Sequence, residues 1–301
     1  MEVTLNEFDR LRHVAVKHPR DAFVSDEVIA SQWASHGFTA PPDFVAACRE
    51  YDAFVDVLVR HGAEATFLPA DAGTTIDSLY ARDASLVTPG GLVLCVMGKP
   101  ARHGEPAAQR HAFASAARPW TVVAGAIEAP GRIEGGDVVW LDDQTVAVGR
   151  GYRTNAEGIR QFAEILGPRI YVMEVPLPHW KGPGDVMHLM SLISPVDRDL
   201  AVVYSRLLPV PFYEWLLARG FTLVDTPDEE FDSMATNVLA LAPRQCVMLA
   251  GNPRTRAALE RAGAAVVEYR GVEISVKGAG GPTCLTRPLV RERAMLATTH
   301  L

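Results

Sequence analysis

The chain has 301 residues, a length that suits one large domain or two ordinary ones. Hydrophobic residues make up 48% and charged residues 22%, a balance that excludes wholesale disorder. Lys+Arg 29 against Asp+Glu 36 leaves a net charge of -7, which argues against a polyanionic partner such as nucleic acid or an acidic membrane surface. The first seven residues show no basic stretch followed by an apolar one, so no secretory signal is expected there. Apolar runs such as 237–242 are broken well short of the ~20 residues that a bilayer span needs. A soluble, cytoplasmic protein is the expectation. Four cysteines, Cys48, Cys95, Cys246 and Cys284, are too few for a disulfide scaffold and lack zinc spacing. Taken singly, each reads as a small buried hydrophobe.

In chain order, residues 13–16 read as a strand. A long connection follows, 17–40, with Trp33, Gly37 and no firm helix pattern; connections of that length often cover a site. A helix is expected over 44–61, closed by Gly62, and then a strand over 65–68. Strands at 85–88 and 92–96 flank Pro89-Gly90-Gly91, before a helix near 107–117 and a strand at 121–123. Strands at 136–141 and 145–149 flank Asp142-Asp143, before a helix over 155–166 and a strand over 170–175. The next set is strands at 186–189 and 200–204, a helix around 212–218, and a strand at 221–224. In the last, strands 237–242 and 246–250 precede Asn252, expected to cap a helix with Pro253 at its first position; strand 264–269 follows Gly263.

The same order of strand, strand, helix, strand therefore occurs five times, with a period of roughly 45–60 residues, the signature of a stacked or radial architecture. No linker interrupts it, so residues 1–301 are expected to form a single domain. A doubly wound sheet would alternate strand and helix strictly, and the paired strands argue against it.

Four clusters stand at the entrances of successive units. Residues 277–288 are glycine-rich but lack the Walker pattern, and Pro288 stands where a helix would have to open. They are either a flexible loop with an incidental cysteine or the presentation of a nucleophile, Cys284. His188 has apolar neighbours and is either a satisfied half-buried histidine or a site group. Glu134-Gly135-Gly136-Asp137 is a polar turn or a carboxylate pair able to bind a cation. Asp77 to Asp83 includes Arg82-Asp83, either a surface ion pair of little energetic weight or further site residues. Together the four put a thiol, an imidazole and several carboxylates around one axis.

The set resembles the guanidino-group-modifying (amidinotransferase, or pentein) superfamily, most closely the dimethylarginine dimethylaminohydrolases. The motifs are the Glu-Gly-Gly-Asp segment at 134–137, Arg153-Thr154-Asn155 at a helix entry, and the Gly-Gly-x-x-Cys ending at Cys284, and the resemblance runs over about 11–289. It implies an α/β fold, a five-bladed propeller of ββαβ modules around a pseudo-fivefold axis, and one catalytic domain. It implies a catalytic set of Cys284, His188 and Glu134, the cysteine attacking the guanidinium carbon and the histidine serving as acid and then base. Asp83 would bind a guanidinium nitrogen, Asp77 the α-amino group, and Arg153 and Arg102 the substrate carboxylate. Arg82 and Asp137 complete the expected substrate-binding residues. Neither a metal nor an organic cofactor is implied. The implied partner is a small guanidino compound, with no nucleic acid or membrane, and a homodimer is compatible with it.

Two departures pull in opposite directions. Deiminases and amidinotransferases usually carry an aspartate two residues after the histidine, where this chain has Met190; an apolar side chain there suits an N-methyl group. Arg82-Asp83 and the ending Cys284-Leu285-Thr286-Arg287-Pro288-Leu289 instead resemble arginine deiminases. The first expectation is a hydrolase on methylated arginine. The alternatives are a deiminase or dihydrolase on arginine, an amidinotransferase, and, remotely, a non-catalytic ribosome-binding pentein.

Overall fold

In the computed structural model, which describes residues 2–116, 118, 121–185 and 187–293, the repeat becomes five small sheets. The first module holds β1 (Glu2–Thr4), β2 (Arg10–Val16), α1 (Pro19–Ala22), α2 (Asp26–Gln32), α3 (Phe44–Arg60) and β3 (Glu64–Phe67). The second holds β4 (Ser85–Thr88), β5 (Gly91–Leu94), α4 (Glu105–Ala116) and β6 (Val123–Ala126). The third holds β7 (Val138–Asp142), β8 (Thr145–Arg150), α5 (Ala156–Leu166) and β9 (Tyr171–Pro176). The fourth holds β10 (Ile193–Asp197), β11 (Leu200–Val203), α6 (Val210–Ala218), β12 (Thr222–Asp225) and the short α7 (Asp228–Phe231). The fifth holds β13 (Leu239–Ala242), β14 (Gln245–Leu249), α8 (Pro253–Arg261) and β15 (Ala265–Tyr269).

Within each of the last four modules the first two strands pair antiparallel through a tight turn, and the second and third pair parallel across the helix. A parallel pair needs such a crossover, because its connection must travel the length of the sheet. The first strands of these modules are almost wholly buried, whereas the third strands are largely half-buried or exposed. Each sheet therefore stands with its first strand innermost. The loops that lead into those first strands meet at the centre.

The first module departs from this pattern in an informative way. Its sheet runs β1-β16-β2-β3, where β16 (Thr286–Arg293) comes from the far end of the chain and pairs antiparallel with both β1 and β2. The last strand thus takes the inner position and closes the ring. Residues 286–293 carried no strand expectation, because Pro288 removes a ladder donor. The ladder accommodates it beside a register shift between Pro288 and Val290.

Other boundaries moved as well. The fourth module does not begin with a strand at 186–189: Val186 lies outside the described residues, His188 precedes a 3-10 turn over Leu189–Ser191, and the strand is β10. The apolar triplet around His188 packs into the core as a turn, which mimics a strand pattern. The strand expected at 136–141 begins at Val138 after a 3-10 turn over Gly135–Asp137, and the one at 121–123 lies at Val123–Ala126. Residues 17–40 contain α1 and α2, capped by His18 and Ser25. Asn252 precedes α8 as expected but does not cap it; its amide donates to Ser233 O and Leu249 O instead.

The largest core cluster joins α3 to the first and fifth modules. Phe54 is fully buried there, between Tyr51 at 5.9 Å and Tyr269 at 4.8 Å between ring centroids. Phe54→Ala is expected to lower unfolding free energy by about 3–5 kcal/mol in urea titrations.

Candidate active site

Glu134 is the organising side chain. It precedes the 3-10 turn that feeds β7 and has no exposed surface. One carboxylate oxygen accepts from the Gly98 amide at 2.7 Å, and the other meets His188 Nε2 at 2.7 Å. Arg153 Nη1 lies 3.6 Å from the first oxygen. Burial opposes the charge on Glu134, but the His188 hydrogen bond and the fields of His188, Arg102 and Arg153 prevail and hold its pKa well below the usual range.

The Gly-Gly pair exists because its neighbours crowd it. A Cβ on Gly135 would sit 2.1 Å from Arg82 O, and one on Gly136 would sit 2.5 Å from His188 Nδ1 and 3.0 Å from Asp83 Oδ1. The bare backbone lets Gly136 N donate to Asp83 Oδ1 at 3.0 Å and Gly135 N to Asp83 O at 2.9 Å. Asp83 Oδ2 accepts from Arg102 Nη1 at 2.7 Å. Arg102 also grips Glu105 through two bonds of 2.8 Å and donates to Tyr80 O at 3.1 Å. Burial drives the Glu105 carboxyl up to about 7 despite that grip.

Asp137 supports the histidine loop from beneath. Its oxygens accept from Leu189 N at 3.0 Å and Thr154 Oγ1 at 2.6 Å, and Thr154 Oγ1 in turn accepts from Glu134 N at 3.1 Å. Burial pushes the Asp137 carboxyl up to about 6. For His188, burial disfavours the cation, yet Asp83, Asp137 and Glu134 together raise its pKa to about 9. The imidazole is therefore an acid at neutral pH.

Cys284 is half-buried at the end of the glycine-rich loop. Its Sγ accepts from Asn237 Nδ2 at 3.3 Å, and the Asn237 carbonyl accepts from Thr283 N at 3.0 Å and Thr283 Oγ1 at 2.9 Å. A Cβ on Gly281 would lie 2.4 Å from Asn237 Oδ1, so this contact also requires glycine. Burial raises the thiol pKa and the Asp83 charge adds to it. The resting sulfur is a thiol, and an approaching cation is what favours the thiolate.

Cys284 and His188 share the wall of a cavity of about 110 Å³. Met187, Met190, Met234 and Phe231 make its apolar side, and Lys181, which pairs with Asp232 at 2.9 Å, also lines it. Trp180 stands over Phe231, ring edge to face. No described residue of 17–40 lines this cavity. That segment reaches the site only indirectly: Lys99 Nζ lies 3.4 Å from both His36 O and Asp77 Oδ2.

The expected residues thus fall into groups. Glu134, His188, Asp83, Arg102 and Arg153 form one buried cluster, and Cys284 joins His188 at the cavity. Asp77 is buried beside Lys99. Arg82 turns its guanidinium away, to Glu7 Oε1 at 2.7 Å, while its backbone N donates to Cys284 O at 3.2 Å. Asn237 and Glu105 were not singled out from sequence, and Thr154 entered only as part of the Arg153-Thr154-Asn155 motif, with no role of its own. Asn237 opens the fifth module, so its unit-entrance position was the available signal. Asp83, Glu134 and His188 offer ligand atoms within 4.8 Å of one another. Asp83 and Glu134 already bind protein cations or amides, His188 is bound to the Glu134 carboxylate, and a protonated imidazole is no metal ligand.

Two measurements check this arrangement. Gly136→Ala should keep the circular dichroism spectrum of the parent while perturbing the His188 ring resonances, because the new methyl occupies the place of the ring. His188 has a pKa raised from 6.5 to about 9, so its stabilising contribution is complete below about 6.5 and lost as pH rises through about 9. Urea stabilities of the parent protein and His188→Gln should therefore differ most near pH 6 and converge above pH ~9.

The arginine deiminase family model matches residues 75–218 and 208–291. An uncharacterized Bacillus subtilis protein is 28% identical over 289 residues, covering 96% of this chain and 95% of its own. The dimethylarginine dimethylaminohydrolase of Pseudomonas aeruginosa is 28% identical over 250 residues, covering 81% of this chain and 89% of its own. An amidinotransferase of the saxitoxin biosynthetic pathway from Microseira wollei superposes with a TM-score of 0.78 at 17% identity, covering 98% of this chain and 99% of its own, a likeness of fold. With five ββαβ sheets in a ring and carboxylates, imidazole and thiol at its centre, the chain belongs to the arginine deiminase family of the pentein superfamily, close to the dimethylarginine dimethylaminohydrolases.

Proposed function

We propose that the protein hydrolyses Nω-methylated arginine to citrulline and a methylamine. The observation that carries this reading is the cavity shared by Cys284 and His188, whose wall holds Met190 and two further methionines where an unsubstituted N–H would need an acceptor. A methylated nitrogen gains apolar contact there and loses no hydrogen bond.

In this reading the substrate guanidinium displaces part of the internal hydrogen bonding of Asp83 and Glu134, whose carboxylates then hold it in plane. Its charge favours the Cys284 thiolate, the thiol proton passing to bulk water, and the thiolate attacks the guanidinium carbon and forms a C–S bond. The tetrahedral adduct breaks its bond to the methylated nitrogen, and His188 delivers the proton that lets the amine leave. A positively charged thiouronium remains on Cys284. Water then adds to the same carbon and passes one proton to His188; as the C–S bond breaks, the remaining hydroxyl proton goes to the departing sulfur, and citrulline leaves with the resting thiol restored. Arg153, whose Nη1 has no hydrogen-bond partner, takes the substrate carboxylate, and Asp77 takes the α-amino group. Arg102 holds Asp83 in place. Arg82 and Asp137 act through the residues that they position.

A second reading, deimination of arginine itself, draws on the Arg82-Asp83 pair and on the family model. The deciding experiment supplies arginine, monomethylarginine and asymmetric dimethylarginine separately, with and without an acceptor amine, and quantifies citrulline. Methylated substrates should exceed arginine in kcat/KM by at least tenfold; a preference for arginine establishes the second reading, and product that requires the amine establishes amidino transfer. Cys284→Ser should form no citrulline, and a denaturing mass spectrum of the parent protein quenched in turnover should show the adduct on Cys284.

A further inference from the structure

The active cluster mixes carboxylates with cations; a second buried cluster, in which guanidinium groups predominate, gathers around Glu7. Arg82, Arg287 and Arg291 are 1%, 5% and 3% exposed. They line a small cavity of about 30 Å³ together with Glu7, Trp140 and Thr4. Arg287 and Arg291 come from β16, the inner strand that closes the ring, and Arg82 comes from the entrance of the second module.

The partners available to these guanidinium groups are few. Arg82 Nη2 donates to Glu7 Oε1. Arg287 Nη2 donates to Arg82 O. Arg291 Nη1 donates to the main-chain oxygens of Asp9 and Ala240 at 2.6 and 2.9 Å. Arg82 Nε and Nη1, Arg287 Nε, and Arg291 Nε and Nη2 are buried with no protein partner, as is the indole nitrogen of Trp140. A buried N–H normally finds an acceptor, and five unpaired guanidinium nitrogens around one cavity is far outside that rule.

The charges are equally unbalanced. Three guanidinium groups face one carboxylate, Glu7. Asp9 turns its carboxylate to Asn6 Nδ2 at 2.7 Å and towards Arg293 Nε at 3.7 Å. Asp83 is within electrostatic reach, but its oxygens are held by Arg102 and Gly136 N. Burial and the charge of Arg82 push Arg287 down to about 9, and burial pushes Arg291 down to about 10. Guanidinium groups keep their protons in proteins, so that pressure registers a positive charge that the chain's own carboxylates do not match.

We propose that this cavity is a binding site for one small monovalent inorganic anion, a halide, held between Arg82, Arg287 and Arg291. Size selects the class: about 30 Å³ accepts a halide beside a water, whereas a phosphate ester or a carboxylic acid has no room. A halide supplies one negative charge and several acceptor directions at once, which matches donors arriving from three sides. The bound anion cross-links β16 to the entrance of the second module. Because Arg82 N donates to Cys284 O, it also braces the floor beneath the sulfur.

The test uses the intact chain. Crystals soaked in sodium bromide and measured at the bromine absorption edge should show an anomalous peak in this cavity, within hydrogen-bond distance of at least two of the three guanidinium groups. In parallel, Tm is followed from low to high sodium chloride, with sodium gluconate making up constant ionic strength, since gluconate is too large to enter. Tm should climb by about 2 °C per tenfold rise in chloride above the dissociation constant. Water alone in the cavity at saturating bromide overturns the proposal, as does a Tm indifferent to the exchange of gluconate for chloride. Glu7→Gln, which removes the competing carboxylate, should lower the chloride midpoint about tenfold if it folds; an unchanged or raised midpoint counts against the site, and the bromide soak stands independently of that variant.

Discussion

Everything at the centre of the ring depends on burying an ionised carboxylate. Taking such a group from water costs several kcal/mol unless protein donors replace the lost solvation. Glu134 meets that cost with the Gly98 amide, the His188 ring and the nearby Arg153 and Arg102 charges, contributed by the second, third and fourth modules. The same carboxylate that charges the imidazole therefore pins the modules to one another. The glycine pair that follows it, the arginine that holds Asp83, and the threonine that bridges Asp137 to Glu134 are all consequences of that requirement.

Arg82 and Asp83 are adjacent in sequence and face opposite ways along the axis. Asp83 joins the mixed cluster of carboxylates and cations around His188, and Arg82 joins the guanidinium-rich cluster around Glu7. Buried charge is thus unevenly divided within a chain whose total charge says nothing of it. The net charge of -7 excludes broad classes of partner, whereas the distribution of charge decides where a ligand sits.

The repeat was legible because each of the last four modules buries an apolar first strand ahead of its crossover helix, and α3, α5 and α8 carry an amphipathic period. Cys284, His188 and Glu134 were singled out as candidates because they stand at comparable entrances of that repeat and match motifs of the family that the chain resembles. Two kinds of information were not local. The strand Thr286–Arg293 pairs with residues nearly the whole chain away, and its Pro288 argues against a ladder when read alone. Residues around His188 alternate like a strand, yet the Asp137 bond to Leu189 N fixes them as a turn, and that bond spans 52 positions. Arg82 illustrates the same limit: beside Asp83 it reads as a site residue, and only the position of Glu7 shows which way it points.

The closure of the ring by β16 has a consequence for the order of synthesis. The inner strand of the first sheet leaves the ribosome after every other strand of the ring, and β1 and β2 wait for it. Cys284 stands two residues ahead of that strand. Its sulfur meets Asn237 and the His188 cavity only when the final blade has formed. A nascent chain therefore carries His188 and the buried carboxylates before the thiol of Cys284 is placed beside them.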